Sequence, residues 1–197
     1  MRVVVLGTTG RTGHIVADLA VERGMDVVAL VRHEPEQPLD PRVAVTLVDL
    51  RDQDVIAPEL AGADALVSAI GPVAGVTVTE VSEVTQSVVD AMVRAGVRRI
   101  VAAANGKVLT DDEVTGEYAN VAAEHRRDAA ILRASGLDWT VLAAPFLVDD
   151  PPTGDIRTAM EGKPPARSLT RSDFAATLVD ALQRDEWIGH IVGVANP

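Results

Sequence analysis

Short apolar runs rich in Val and Ile alternate along this chain with segments whose apolar positions recur every three or four residues. Near-continuous apolar runs are what strands buried on both faces of a parallel sheet look like, and the second spacing belongs to amphipathic helices. The runs predict strands at 2–6, 26–31, 43–48, 64–69, 97–104, 138–144 and 190–194. Between the first two, Ile15, Val16, Leu19 and Ala20 form a helical stripe, and Gly24 stands where a left-handed cap belongs. Val81, Val84, Val88 and Met92 make a second stripe that stops at Gly96. A third helix is expected over 117–135, closed by Gly136, and Thr170 with Asp173 has capping-box spacing ahead of Phe174, Leu178 and Leu182. This alternation predicts a doubly wound parallel α/β sheet with helices on both faces, a single three-layer domain over 1–197. Two loops, 105–115 and 149–168, follow strand ends. Ligands of open parallel sheets bind beyond the carboxyl ends of the strands, so these loops are the expected substrate cover.

Composition narrows the chemistry. With 197 residues the chain can bury a full core, and with no cysteine it has neither disulfides nor a thiolate nucleophile or metal ligand. A net charge of −11 argues against a nucleic-acid surface, so any anion must be held by local positive charge. Sixteen of the eighteen basic residues are arginine, whose planar fork suits phosphate. The opening MRVVVLG falls short of a signal sequence, and no apolar run reaches the ~20 residues of a membrane span. A cytoplasmic protein acting on a small molecule, with no membrane or nucleic-acid partner, is therefore expected. No metal site is expected, because the adjacent acids at 111–113 diverge on a loop with no histidine nearby in sequence. The 3% aromatic content does not suggest an aromatic-anchored interface, and oligomeric state is left open.

The stretch GTTGRTG carries Gly7, Gly10 and Gly13 between a predicted strand and a predicted helix. In that context glycines allow a tight turn, a backbone close to a pyrophosphate, and helix packed closely on strand. The helix start adds free N–H groups and the positive end of its dipole. At the end of the second strand stands Arg32, with no acid before it. An acid there would bond the ribose hydroxyls of NAD, whereas arginine pairs with a 2′-phosphate. Arg11 in the loop is expected to approach the same adenosine end, so NADP(H) is the expected cofactor over NAD(H).

The G-x-x-G-x-x-G spacing resembles the short-chain dehydrogenase/reductase superfamily in its atypical branch. With VRHEP, VDLRD, VSAIGP, VAAANG and SGLDWTVLAAPFLVDDPPTG, the chain is similar to NAD(P)H-binding proteins related to biliverdin reductase B (flavin reductase) and to NmrA-like sensors. The resemblance implies a Rossmann-type fold, with Thr9 and Thr12 joining the glycines at the cofactor. It also implies Asp49 and Leu50 near the adenine, Ala69, Ile70 and Gly71 along the ribose, and Ala104 and Asn105 near the nicotinamide. Pro145 and Phe146 would border the nicotinamide pocket. Asp49 is equally suited to forming a turn at a strand end.

Departures from the superfamily pattern matter for the reaction. Its alcohol dehydrogenases use a Tyr-x-x-x-Lys pair, but the lone tyrosine, Tyr118, is followed four residues on by Ala122. Asn105 stands where a serine is common, and Ala144 where many relatives have arginine. His125, two helical turns past Tyr118, is a candidate substitute proton relay, the alternative being an exposed histidine beside Arg126 and Arg127. The broken pair argues against ketone reduction. Flavins and quinones stabilise the added charge themselves, so the expected activity is NADPH-dependent hydride transfer to such an acceptor. The alternative is a non-catalytic NADP(H)-binding redox sensor of NmrA-like type. A sugar-nucleotide epimerase is weakened by the same missing pair.

Overall fold

A computed structural model describes residues 1–75, 79–110, 112–163 and 166–197. Its Val-rich runs become β1 (Arg2–Leu6), β2 (Asp26–Val31), β3 (Ala44–Leu47), β4 (Ala65–Ser68), β5 (Arg99–Asn105), β6 (Asp138–Ala144) and β10 (His190–Ala195). Between them lie α1 (Arg11–Glu22), α2 (Gln53–Glu59), α3 (Glu80–Ala95), α4 (Ala119–Ala134) and α5 (Arg171–Ala181). Short strands β7 (Phe146–Val148), β8 (Arg157–Met160) and β9 (Ser168–Thr170) join them, with 3₁₀ turns at Gly106–Leu109, Gly116–Tyr118 and Asp185–Trp187. The chain is thus a Rossmann-type α/β domain.

The main sheet runs β3-β2-β1-β4-β5-β6-β10-β8, parallel throughout except for β8, which pairs antiparallel with β10. Strand order reverses between β1 and β4, and such switch points open a crevice at the carboxyl ends. Two apolar layers follow from strands buried on both faces. Val3 and Val5 of β1 pack toward α1 and α5, while Val4 and Leu6 pack toward α2 and α3. Gly24, Gly96 and Gly136 all take positive φ just past helix ends, which stops α1, α3 and α4 where the sequence suggests.

Several expectations are corrected. The segment 149–168 is not one loop, since Arg157–Met160 is the edge strand β8; within it, Pro164 and Pro165 lie outside the described residues. The 105–115 segment begins at the last strand residue and continues as a 3₁₀ turn, Gly106–Leu109, and Asp111 lies outside the described residues. The third helix starts at Ala119, preceded by a 3₁₀ turn at Gly116–Tyr118.

The capping box forms only in part. Thr170 Oγ1 accepts from the Asp173 amide at 3.1 Å. The Thr170 amide donates instead to Asn196 at 2.7 Å, and the Asp173 carboxylate accepts from the amides of Thr153 and Gly154 at 2.9 and 3.0 Å. The stem of the segment after β7 is thereby fixed to α5.

Candidate functional site

Everything about the glycine loop is set by backbone proximity. Gly7 has φ +85°, and a Cβ there would lie 2.8 Å from the Ala69 carbonyl, so β1 meets the end of β4 only because residue 7 has no side chain. At Gly13 a Cβ would lie 2.1 Å from the Gly7 carbonyl oxygen. The Gly10 amide donates to the same oxygen at 2.9 Å, closing the turn. Gly10 caps α1 without a side chain, which leaves first-turn N–H groups without a side-chain acceptor at the positive end of the dipole. A backbone cradle that a methyl group would fill suits the pyrophosphate of a dinucleotide.

Two cavities flank this loop and share Thr9 and Gly10 as a wall. One, about 230 Å³, is lined by Gly7, Arg32, Leu50, Ala69, Ile70 and Gly71 together with Pro72, Glu80 and Val84. It gathers most of the residues expected at the adenosine half of a cofactor. Asp49 lies at a turn, where its Oδ1 accepts from the Arg51 amide at 3.0 Å. The other cavity, about 320 Å³, is lined by Thr8, Arg11, His14, Gln37, Asp149 and Arg171 among others.

Arg11 and Arg32 therefore line different cavities. Arg11 Nη1 pairs with Asp149 Oδ2 at 2.7 Å, and Arg171 Nε takes the other oxygen at 2.6 Å. Arg171 also donates to Thr12 Oγ1 at 3.0 Å, so this cluster ties α1 to α5 and to the chain after β7. Its two guanidinium groups hold the Asp149 carboxyl below the usual carboxylate range, Arg171 contributing first. Arg32 instead pairs with Glu80, which also receives Arg51 at 2.9 Å. Sequence reasoning missed Arg51, Glu80 and Arg171. None has a local motif, because their partners are 29 or more residues away along the chain for Arg51 and Glu80, and 22 for Arg171 with Asp149.

At the other end of the crevice, β5 and β6 place Asn105 beside Ala144, and Gly106 lies against the Ala144 carbonyl. Asn105 Oδ1 accepts from the Lys107 amide at 3.0 Å, which orients the side chain. Ala104 is buried. Pro145 joins β6 to β7, and Phe146, the first residue of β7, is 74% exposed. Tyr118 is also exposed, and its ring meets that of Phe146 edge to face, centroids 6.5 Å apart. Ala122 is buried.

His125 is not an exposed helical histidine. It is 7% exposed, Nδ1 has no hydrogen-bond partner, and burial pushes its pKa down to about 4. Burial, not exposure beside Arg126 and Arg127, is thus its setting, and at neutral pH its ring is uncharged. Nearby, Asp128 is pushed up to about 7, again by burial. Glu124, wholly buried, accepts from the amides of Val81 and Ser82 at 3.0 and 3.1 Å and so caps α3 from α4. Burial would raise its pKa, but those bonds and Arg127 outweigh it and hold it down.

Comparison with known proteins fits this geometry. A family model described as NAD(P)H-binding matches residues 7–185. An uncharacterized chloroplastic protein of Arabidopsis thaliana is 30% identical over 94% of this chain and 66% of its own length, so the chain spans slightly less than two thirds of that relative. A second chloroplastic protein from the same plant is 25% identical over 94% of this chain and 73% of its own. The crystal structure of an oxidoreductase from Lactococcus lactis superposes with a TM-score of 0.88 at 22% identity, covering 100% of this chain and 91% of that one, a likeness of fold. These matches support an NAD(P)H-binding family with a Rossmann-type fold, without singling out biliverdin reductase B or the NmrA-like sensors. They also correct the cytoplasmic expectation, since both plant relatives are chloroplastic by name, which points away from that location. Among the described residues no helix is long and apolar enough to cross a membrane.

Proposed function

The chain belongs to the NAD(P)H-binding family, whose model spans residues 7–185, and from that premise we propose that it is an NADPH-dependent reductase delivering hydride to a flat conjugated acceptor, a flavin or a quinone. The observation that carries this reading is the Tyr118–Phe146 pair. Of five aromatic residues, Trp139, Phe174 and Trp187 are buried, whereas these two are left in solvent at the carboxyl end of the sheet. Exposed rings beside the expected nicotinamide position suit stacking against a planar acceptor, which also gains the apolar contact.

When bound, NADPH supplies the hydride. The chain's own residues would hold and orient it: the first-turn amides of α1 would take the pyrophosphate, Arg32 the 2′-phosphate, and Asn105 the nicotinamide amide. Phe146, its ring braced edge to face by Tyr118, would be the surface on which the acceptor ring stacks, and orientation is most of what such a transfer requires. A conjugated acceptor spreads the added charge, so the absence of lysine at Ala122 is no obstacle. The proton comes from water or from the Tyr118 hydroxyl. His125, buried and neutral, takes no part.

A second reading, a non-catalytic NADP(H) sensor, is favoured by the buried Ala122 where a catalytic lysine would stand. The deciding experiment follows loss of nicotinamide absorbance on mixing NADPH with flavins, quinones, tetrapyrroles and dicarbonyls. Turnover of a flavin or quinone, with Phe146→Ala raising KM for the acceptor but not Kd for NADPH, supports the reductase. Tight NADPH binding without turnover of any acceptor decides for the sensor.

A further inference from the structure

Arg32 directly follows β2 and Arg51 lies between β3 and α2, yet both direct a guanidinium nitrogen at one atom, Oε1 of Glu80. Arg51 makes that contact at 2.9 Å and reaches Glu83 at 3.9 Å, while Arg32 approaches Glu80 still more closely. Glu80 opens α3, and with Arg32 it lines the 230 Å³ cavity. Both guanidinium side chains are more than half exposed. Exposed pairs of this kind add little to folding stability, so the convergence is not explained by the fold. Two cations drawn together from different strands repel unless an anion lies between them.

We propose that Arg51 joins Arg32 as the second guanidinium of a site for the 2′-phosphate of NADPH, and that Glu80 is a built-in competitor holding both forks in place until that phosphate displaces it. The inference rests on reading the protein as NADPH-dependent. A phosphate monoester presents three acceptor oxygens and up to two charges, so each fork gains an oxygen of its own, where Glu80 offers both the same one. NADH brings only a hydroxyl and leaves the ion pairs as they are. The backbone under Glu80 stays fixed during the exchange, because Val81 and Ser82 donate to the buried Glu124. Only the Glu80 side chain has to swing away. Its carboxylate thereby lowers affinity for the phosphorylated form and narrows the preference for NADPH over NADH.

Isothermal titration of the full chain with NADPH, NADH and 2′,5′-ADP tests this without any turnover. Arg51→Gln should weaken NADPH and 2′,5′-ADP about tenfold, the worth of one charge-assisted bond, and leave NADH within about twofold. Glu80→Gln should do the opposite, tightening NADPH and 2′,5′-ADP by about three- to tenfold with NADH again unchanged. If the wild type prefers NADPH but neither substitution alters its binding, the two-arginine site with its competitor is overturned and the NADPH reading stands. If the wild type binds NADH as tightly as NADPH, the NADPH reading itself falls. Weaker NADH binding in Glu80→Gln would overturn the competitor role, since Glu80 would then be holding ribose hydroxyls.

Discussion

Gly13 lies inside α1, where alanine would ordinarily improve helix propensity by up to about 1 kcal/mol. Here the added carbon would sit 2.1 Å from the Gly7 oxygen and 2.4 Å from the Gly7 carbonyl carbon, and neither atom can rotate away. Gly13→Ala must therefore push α1 off the β1 turn. The expected outcome is a net loss of about 1–3 kcal/mol in a urea titration, together with at least tenfold weaker NADPH binding. Gly24→Ala is the control, because nothing lies within 4 Å of its would-be Cβ and only its φ of +78° is strained. That variant should lose about 1–2 kcal/mol and keep its cofactor affinity. Glycines of this sort are legible in a sequence, because their spacing encodes a turn. Arginine partners are not: Arg11 and Arg32 look alike on paper, and only the path of the chain sends one to Asp149 and the other to Glu80.

At the scale of elements, α4 carries a pair of buried groups whose titrations oppose each other. His125 Nδ1 lies 3.8 Å from Asp128 Oδ2, and Glu124, Arg127 and Thr85 are the other charged or polar groups acting on them. Burial takes His125 from 6.5 down to about 4, so in that window the unfolded chain binds a proton that the folded chain refuses. His125 thus makes stability rise with pH. Burial takes Asp128 from 3.8 up to about 7, so there the folded chain keeps a proton that the unfolded chain has lost. Asp128 makes stability fall with pH, and from pH 4 to 6.5 the two slopes cancel. Urea unfolding should be nearly flat for the wild type from about pH 5.5 to 6.5, above the range in which the carboxylates held low, Glu124, Asp149 and Asp173 among them, titrate in the unfolded chain. Asp128→Asn should leave a rising slope and His125→Gln a falling one, each up to about 1.4 kcal/mol per pH unit. Equal flat profiles in all three proteins would refute the assignment. No periodicity reveals this pair, because a polar residue facing a neighbouring helix reads as surface until that neighbour is in place. Short elements were hidden for another reason: β7 and β9 have three residues each, and β8, RTAM, lacks the Val-rich run that marks β3 and β4, so none stands out around the Pro-rich 149–168 stretch. The main strands were Val-rich apolar runs and the long helices carried an apolar stripe or a glycine stop, and those were readable.

For the whole molecule, the two cavities share Thr9 and Gly10, and Asn105 and Phe146 stand at the carboxyl ends of β5 and β6. A dinucleotide running from the glycine loop toward Asn105 would touch the ends of several elements that otherwise meet through the sheet. Ligand that binds the folded chain alone stabilises it by RT ln(1 + [L]/Kd), about 2.7 kcal/mol at a hundredfold excess over Kd. In a domain of this size each kcal/mol moves the melting temperature by about 2–4 °C. NADPH at that excess should therefore raise Tm by roughly 5–10 °C, read by scanning calorimetry. NADH at the same concentration should raise it less, because Arg32 gains no phosphate. Arg32→Glu separates the phosphate contact from the rest of the crevice: the NADPH shift should collapse to the size of the NADH shift or below, while the NADH shift persists. An Arg32→Glu protein that keeps the full NADPH shift would mean that the 2′-phosphate is held elsewhere. Arg51 at Glu80, and after it Arg11 and Arg171 at Asp149, would then be the next to substitute.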